Sequence, residues 1–179
     1  MHSKTADMAY IALGTVIIAV CSWISIPFAV PFTMQTFAVF FVLMFLGGKR
    51  GTLCIVVFIL LAAIGIPVLS GFKGGIGAVL GTTGGYLLGF IFTGLIYMLF
   101  EKTAGNRLSV KIAVLAAGLI VCYAFGTAWF MTVYAKNSGP IGLWTALSWC
   151  VLPFIIPDIV KLALAAAVSE RLRKTIKPQ

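Results

Sequence analysis

Apolar residues along this chain fall into six dense blocks, at 8–26, 34–47, 51–66, 84–100, 110–135 and 143–168. None alternates with a period of two, and none shows the single polar stripe of a helix lying on a water-facing core. Each block reads as a transmembrane helix. The second and third fall short of the roughly 20 residues that cross a bilayer core of about 30 Å in a straight helix. Short, Gly/Pro-flanked segments of this kind border the binding sites of many transporters. The connections fall at 27–33, 48–50, 67–83, 101–109 and 136–142; the first holds Pro27 and Pro31, and the third is rich in glycine. The pattern predicts an all-α membrane protein, a single domain over 1–179 with six transmembrane helices. It leaves no room for a soluble domain, and no linker or internal repeat is evident. The first block outruns a signal-peptide core and lacks a small-x-small exit, so no cleaved signal is expected.

Composition sharpens this picture. Hydrophobic residues make up 61% of the 179 and charged residues 9%, against about 25% charged in soluble domains. The net charge is +9, from 13 Lys and Arg against 4 Asp and Glu. In a soluble chain such an excess suggests nucleic acid, but here the basic residues sit in the gaps between blocks and no nucleic acid is expected. With the N-terminus inside, the inner segments carry Lys4, Lys49, Arg50, Lys102, Arg107, Lys111, Arg171, Arg173, Lys174 and Lys177. The outer loops carry Lys73 and Lys136, and Lys161 falls within a block. This asymmetry follows the positive-inside rule, with both termini cytoplasmic and 27–33, 67–83 and 136–142 facing outward. Irregular backbone at membrane depth needs protein or a polar cavity to satisfy it. The first two outer loops therefore predict a cap over an outward-facing binding pocket.

Asp158 and Lys161 are the sharpest chemical signal. A charge at the centre of a span costs roughly 2.5–3.5 kcal/mol, and at i and i+3 two opposite charges share one helical face. They form either a structural ion pair or a ligand-holding patch. Pro157 suits a helix start, which puts Asp158 in the first turn. Gln35 sits at the mouth of the second block, where its amide both donates and accepts, beside Thr33 as a helix cap. The glycine cluster at 71–77 and 81–86 contains no phosphate-binding loop, so the chain has no ATPase site of its own; its glycines permit close backbone approach. Trp23, Phe32 and Tyr86 suit a pocket wall or an interfacial belt. Small residues Ala12, Thr15 and Ala19 mark either a partner-docking face or ordinary helix packing. Cys21, Cys54, Cys122 and Cys150 lie inside blocks without a CxxC pair and read as small hydrophobes, with no metal or disulfide. His2 is terminal. Four acids, one terminal histidine and scattered cysteines offer no catalytic set, so an enzyme acting on lipid is not expected.

Three motifs, in order, resemble the BioY family. They are Val30-Pro31-Phe32-Thr33-Met34-Gln35-Thr36, Gly81-Thr82-Thr83-Gly84-Gly85-Tyr86-Leu87-Leu88-Gly89-Phe90 and Pro153-Phe154-Ile155-Ile156-Pro157-Asp158-Ile159-Val160-Lys161. That family comprises the biotin-specific substrate-capture subunits of energy-coupling-factor transporters, and the similarity runs over about residues 12–171. The resemblance implies a six-helix fold with a biotin pocket near the outer face of a bacterial plasma membrane. It implies a transmembrane coupling scaffold and two cytoplasmic ATPases as partners, with biotin the transported ligand and no cofactor. The family's ligand-binding acid and lysine map to Asp158 and Lys161, and its lid and pocket include Gly84, Gly85 and Tyr86. The chain departs from the family pattern in four places. Ile156-Pro157 stands where Pro-Gly is common, Thr82 replaces a proline, Lys73 replaces an asparagine, and Val16 breaks the AxxxA spacing that starts at Ala12. On this reading Asp158 accepts from the ureido N–H groups, and Lys161, Lys73 or backbone N–H groups hold the carboxylate. The alternative is a capture subunit of the same architecture for thiamine or riboflavin.

Overall fold

The blocks fold as helices, but not with the boundaries that hydropathy draws. The computed structural model describes residues 4–27, 30–104 and 107–175; His2, Lys177 and the pair Phe28-Ala29 lie outside the described residues. The helices are α1 (Lys4–Trp23), α2 (Gln35–Leu46), α3 (Gly48–Ala63), α4 (Ile76–Val79), α5 (Gly84–Ala104), α6 (Leu108–Ser138), α7 (Leu143–Cys150) and α8 (Leu152–Thr175). A two-stranded hairpin, β1 (Ser25–Ile26) and β2 (Phe32–Thr33), joins α1 to α2, with Ser25 opposite Thr33 and Ile26 opposite Phe32. Among the described residues, four helical stretches are long and apolar enough to cross a membrane: Lys4–Trp23, Gly84–Lys102, Leu108–Ser138 and Leu143–Thr175.

α2 is the hub. It packs against α1, α3, α5 and α8, and Ala38, Val39, Phe40, Val42, Leu43 and Met44 are all buried. A helix that is apolar all round belongs inside a bundle, which is where this sequence puts it. Its 12 residues rise about 18 Å. A single residue, Gly47 at φ +86°, turns the chain directly into α3. The Glu101 carboxylate accepts the Gly48 N–H at 2.8 Å and ties this turn to the end of α5. Arg50 pairs with Asp7, which ties it to the start of α1.

α5 and α6 form the tightest contact. Gly85 faces Gly126, Gly89 faces Cys122, and Thr93 faces Gly118, so small residues every four positions run along both helices in antiparallel register. The Thr93 hydroxyl donates across the seam to the Gly118 carbonyl at 2.9 Å. Close backbone approach of this kind gives packing and polar contacts that compensate for the missing hydrophobic drive between helices in lipid.

Two expectations need correction. The last block, 143–168, is not one unbroken helix, and Pro157 does not start a helix. The block breaks at Val151 into α7 and α8, and Pro157 lies inside α8, well past its first residue Leu152. Pro153 occupies the first turn instead, where a missing N–H is harmless. The stretch 67–83 is also more ordered than a plain loop. It holds a 3-10 turn at Ser70–Phe72 and the short helix α4, with Gly75 N–H donating to the Ala62 carbonyl at 2.7 Å. Gly71 and Phe72 both take left-handed φ angles, +69° and +55°. For phenylalanine this costs on the order of 1–3 kcal/mol. The Trp23 ring, 5.2 Å away, packs against it, and the Trp23 indole donates to the Pro67 carbonyl at 2.9 Å.

Candidate ligand-binding site

A cavity of about 340 Å³ opens where the β1–β2 hairpin, the 69–83 segment, and α2, α5, α6, α7 and α8 meet. That volume lies within the range of small-molecule sites, roughly 300–1,000 Å³. Leu87 and Phe90 of α5, Leu119 of α6 and Phe154 of α8 supply apolar wall. Ser70, Lys73, Thr82 and Thr83 lie on the loop side, with Lys73 exposed.

Asp158 and Lys161 are 2% and 3% exposed, so water does not screen them. Lys161 Nζ donates to Asp158 Oδ1 at 2.8 Å, and the Tyr123 hydroxyl donates to Asp158 Oδ2 at 2.6 Å. The ammonium also sits 4.1 Å from the centre of the Phe32 ring, and Phe32 stacks on Phe154 with ring centres 6.0 Å apart. Each charge thus has a direct partner and a second favourable contact. A lone buried ion would be far more costly. The pair is net neutral, and it presents both donor and acceptor atoms to the cavity.

Gln35 begins α2 and is 6% exposed. Its backbone N–H donates to Thr33 Oγ1 at 3.3 Å, so the expected capping by Thr33 is present one position away from the helix boundary. The side-chain Nε2 has no hydrogen-bond partner among the described residues. Tyr86 lines the cavity, and its hydroxyl lies 3.1 Å from Thr127 Oγ1.

Five of the residues singled out in the sequence therefore converge on one cavity: Asp158, Lys161, Gln35, Lys73 and Tyr86. Gly84 and Gly85 do not line it. A Cβ on Gly84 would strike the Val79 carbonyl, and one on Gly85 would strike Trp129, so both serve helix approach and place Tyr86. Trp129 in turn donates to the Gly81 carbonyl at 2.9 Å and fixes the loop end. Trp23 lies under the Phe72 turn rather than in the cavity wall. The small-residue triple of α1 splits: Ala12 is exposed, while Thr15 and Ala19 are buried, with Thr15 donating to the Cys54 carbonyl of α3 at 3.3 Å. Intramolecular packing accounts for those two. Cys122 and Cys150 are free thiols in the cavity wall. No group of three His, Cys, Asp or Glu among the described residues can hold a metal ion. Sequence reasoning missed Tyr123 and Thr127, which sit mid-helix with nothing local to mark their partners on α8 and α5.

A profile of the BioY family matches residues 1–178. The biotin transporter BioY of Thermotoga maritima is 40% identical over 162 residues, covering 89% of this chain and 91% of that protein. The probable biotin transporter BioY of Pyrococcus horikoshii is 37% identical over 171 residues, covering 95% and 98%. Among solved structures, the crystal structure of the S-component for biotin from an ECF-type ABC transporter superposes with a TM-score of 0.84. Its sequence is 31% identical, and the match covers 97% of this chain and 95% of that one.

Proposed function

Since the chain belongs to the BioY family, we infer that it is a membrane-embedded biotin-binding subunit that mediates biotin uptake with an ATP-driven coupling module. The observation that carries this reading is the buried, neutral Asp158–Lys161 pair in a cavity walled by both polar and apolar side chains. Biotin has an apolar bicycle and tail, a neutral but strongly dipolar ureido group, and a carboxylate. An internally compensated ion pair suits a neutral dipole better than an anion, because it leaves no excess positive charge. One ureido N–H accordingly bonds Asp158, and the bicycle packs on Leu87, Phe90 and Phe154. The carboxylate points to the mouth, where exposed Lys73 meets it in partial contact with water. Tyr86 closes one wall, held in place by Gly84, Gly85 and Thr127.

The chain is a transport subunit, and energy enters through a transmembrane scaffold and two cytoplasmic ATPases. α2 and α3 cross with the other helices despite their length: α2 starts at the cavity with Gln35 and ends at the Gly47 turn beside Glu101. That makes six crossings, counting α7 and α8 as one. The cavity opens outward and both termini are cytoplasmic. Purified protein in detergent should bind one biotin by calorimetry without nucleotide and should hydrolyse no ATP, and uptake by cells should need the coupling partners. Displacement of labelled biotin by thiamine or riboflavin would favour a different vitamin. Failure to bind biotin at all would refute the reading.

A further inference from the structure

A buried amide nitrogen with no partner is an uncommon feature, because such a group gives up its hydrogen bonds to water without replacing them. Gln35 Nε2 is in that position, and it lines the cavity. Three other polar side chains of the cavity are already engaged. Tyr123 bonds Asp158, Lys161 bonds Asp158 and faces Phe32, and Tyr86 meets Thr127. The Gln35 side chain is not needed for the helix start, since Thr33 takes the Gln35 backbone N–H. It is presented from α2, which packs along α8, so it shares the cavity with Asp158 and Lys161 across the seam of those two helices. Other unpartnered buried atoms, on Ser22, Tyr97 and Arg173, do not line the cavity.

We propose that the Gln35 amide donates to the carbonyl oxygen of the ligand's ureido ring and so sets the preference for a urea over its thio and imino analogues. This deepens the biotin reading and rests on it. The cavity then offers an acceptor for one N–H of a cyclic urea and donors for its carbonyl. Asp158 accepts from a ring N–H, and Gln35 donates to the carbonyl, whose second lone pair stays open to a further hydrogen of Lys161. A thiocarbonyl sulfur is a weaker acceptor. A protonated imino group is a donor and meets the Gln35 donor head-on.

The test measures equilibrium binding of biotin, 2-thiobiotin, 2-iminobiotin at neutral pH (its guanidinium form) and biotinamide to wild type, Gln35→Leu and Gln35→Glu in detergent. Gln35→Leu should weaken biotin by about 5–100-fold and narrow the preference for biotin over 2-thiobiotin by at least about fivefold. Gln35→Glu should invert the order and prefer protonated 2-iminobiotin to biotin, because a carboxylate accepts where the amide donates. Biotinamide should lose as much as biotin. Ratios taken within one variant do not depend on how much of it folds. Equal losses for biotin and 2-thiobiotin with no inversion in Gln35→Glu would overturn the proposal. So would a loss that vanishes with biotinamide, which would assign Gln35 to the carboxylate. Wild type that fails to bind biotin would instead overturn the functional reading, and the proposal with it.

Discussion

Both oxygens of Asp158 are in use, one by Lys161 and one by Tyr123, so the three residues stand or fall by the same logic. Removing one member of a buried ion pair strands the other, at a cost of about 3–5 kcal/mol in stability. Removing both with Asp158→Asn and Lys161→Met should return the protein to near wild-type stability while biotin binding stays lost. Asp158→Asn alone keeps the shape and loses the charge, which should cost about 1.5–3 kcal/mol of binding, or about 10–150-fold in Kd. Calorimetry and thermal unfolding of Asp158→Asn, Lys161→Met and the double variant separate these effects. Affinity within about twofold of wild type in all of them would make the pair structural only. Tyr123→Phe leaves the pair but strips the donor from a buried carboxylate oxygen, so it should cost about 1.5–3 kcal/mol of stability, less than breaking the pair, and biotin should weaken with it. The i,i+3 spacing made Asp158 and Lys161 legible in the sequence, since charges inside an apolar helix are costly unless they pair or serve a ligand. Tyr123 was not legible. Its hydroxyl reaches Asp158 across 35 positions, and in sequence it is one aromatic residue among many in a long apolar run.

Small residues make the scaffold on which those side chains stand. The hydrogen on Gly126 faces the Tyr86 ring, and a Cβ there would overlap it. Overpacking of a tight contact costs about 1–3 kcal/mol. Gly126→Ala should therefore lower the melting temperature in detergent, by roughly 2–4 °C for each kcal/mol in a chain of this size. It should also weaken biotin, because Tyr86 is displaced from the cavity wall. Gly77→Ala is the control: nothing lies within 4 Å of its Cβ position, and it should leave both unchanged. An unaltered melt in Gly126→Ala would mean that α5 and α6 adjust freely at this crossing. The glycine-every-four pattern at Gly85 and Gly89 was present in the sequence, but pairing it with Gly118, Cys122 and Gly126 requires knowing that α5 and α6 are antiparallel neighbours. Element boundaries were legible only where the hydrophobic pattern marks them. Val151 is as apolar as its neighbours, so the break between α7 and α8 leaves no trace in hydropathy, and Pro157 looked like a start because its tolerated place inside α8 depends on packing.

The molecule has two chemically different ends. At one, the described basic residues Lys49, Arg50, Lys102, Arg107, Lys111, Arg171, Arg173 and Lys174 gather at the ends of α3, α5, α6 and α8. The N-terminus of α1 joins them through the Asp7–Arg50 pair. At the other lie the cavity, the β1–β2 hairpin and only two lysines, Lys73 and Lys136. The positive-inside rule puts such a basic end toward the cytoplasm, and on the proposed topology the cavity then opens outward. Folding brings together what the sequence offers as scattered loop charges, since helices that reverse direction at every loop return each basic loop to the same end. An odd number of crossings would split the termini and divide those charges between the two faces. The test uses a background in which the four native cysteines are replaced by alanine, with single cysteines then placed at Lys4, Lys174 and Asn137. In intact cells a membrane-impermeant thiol reagent should leave the first two unlabelled until the cells are opened. Asn137, exposed at the last turn of α6, should be labelled from outside. Labelling of both Lys4→Cys and Lys174→Cys in sealed cells would invert the topology, and labelling of only one would remove the sixth crossing. Biotin uptake by the cysteine-free parent, measured in the same cells, ensures that the topology read is that of a working transporter.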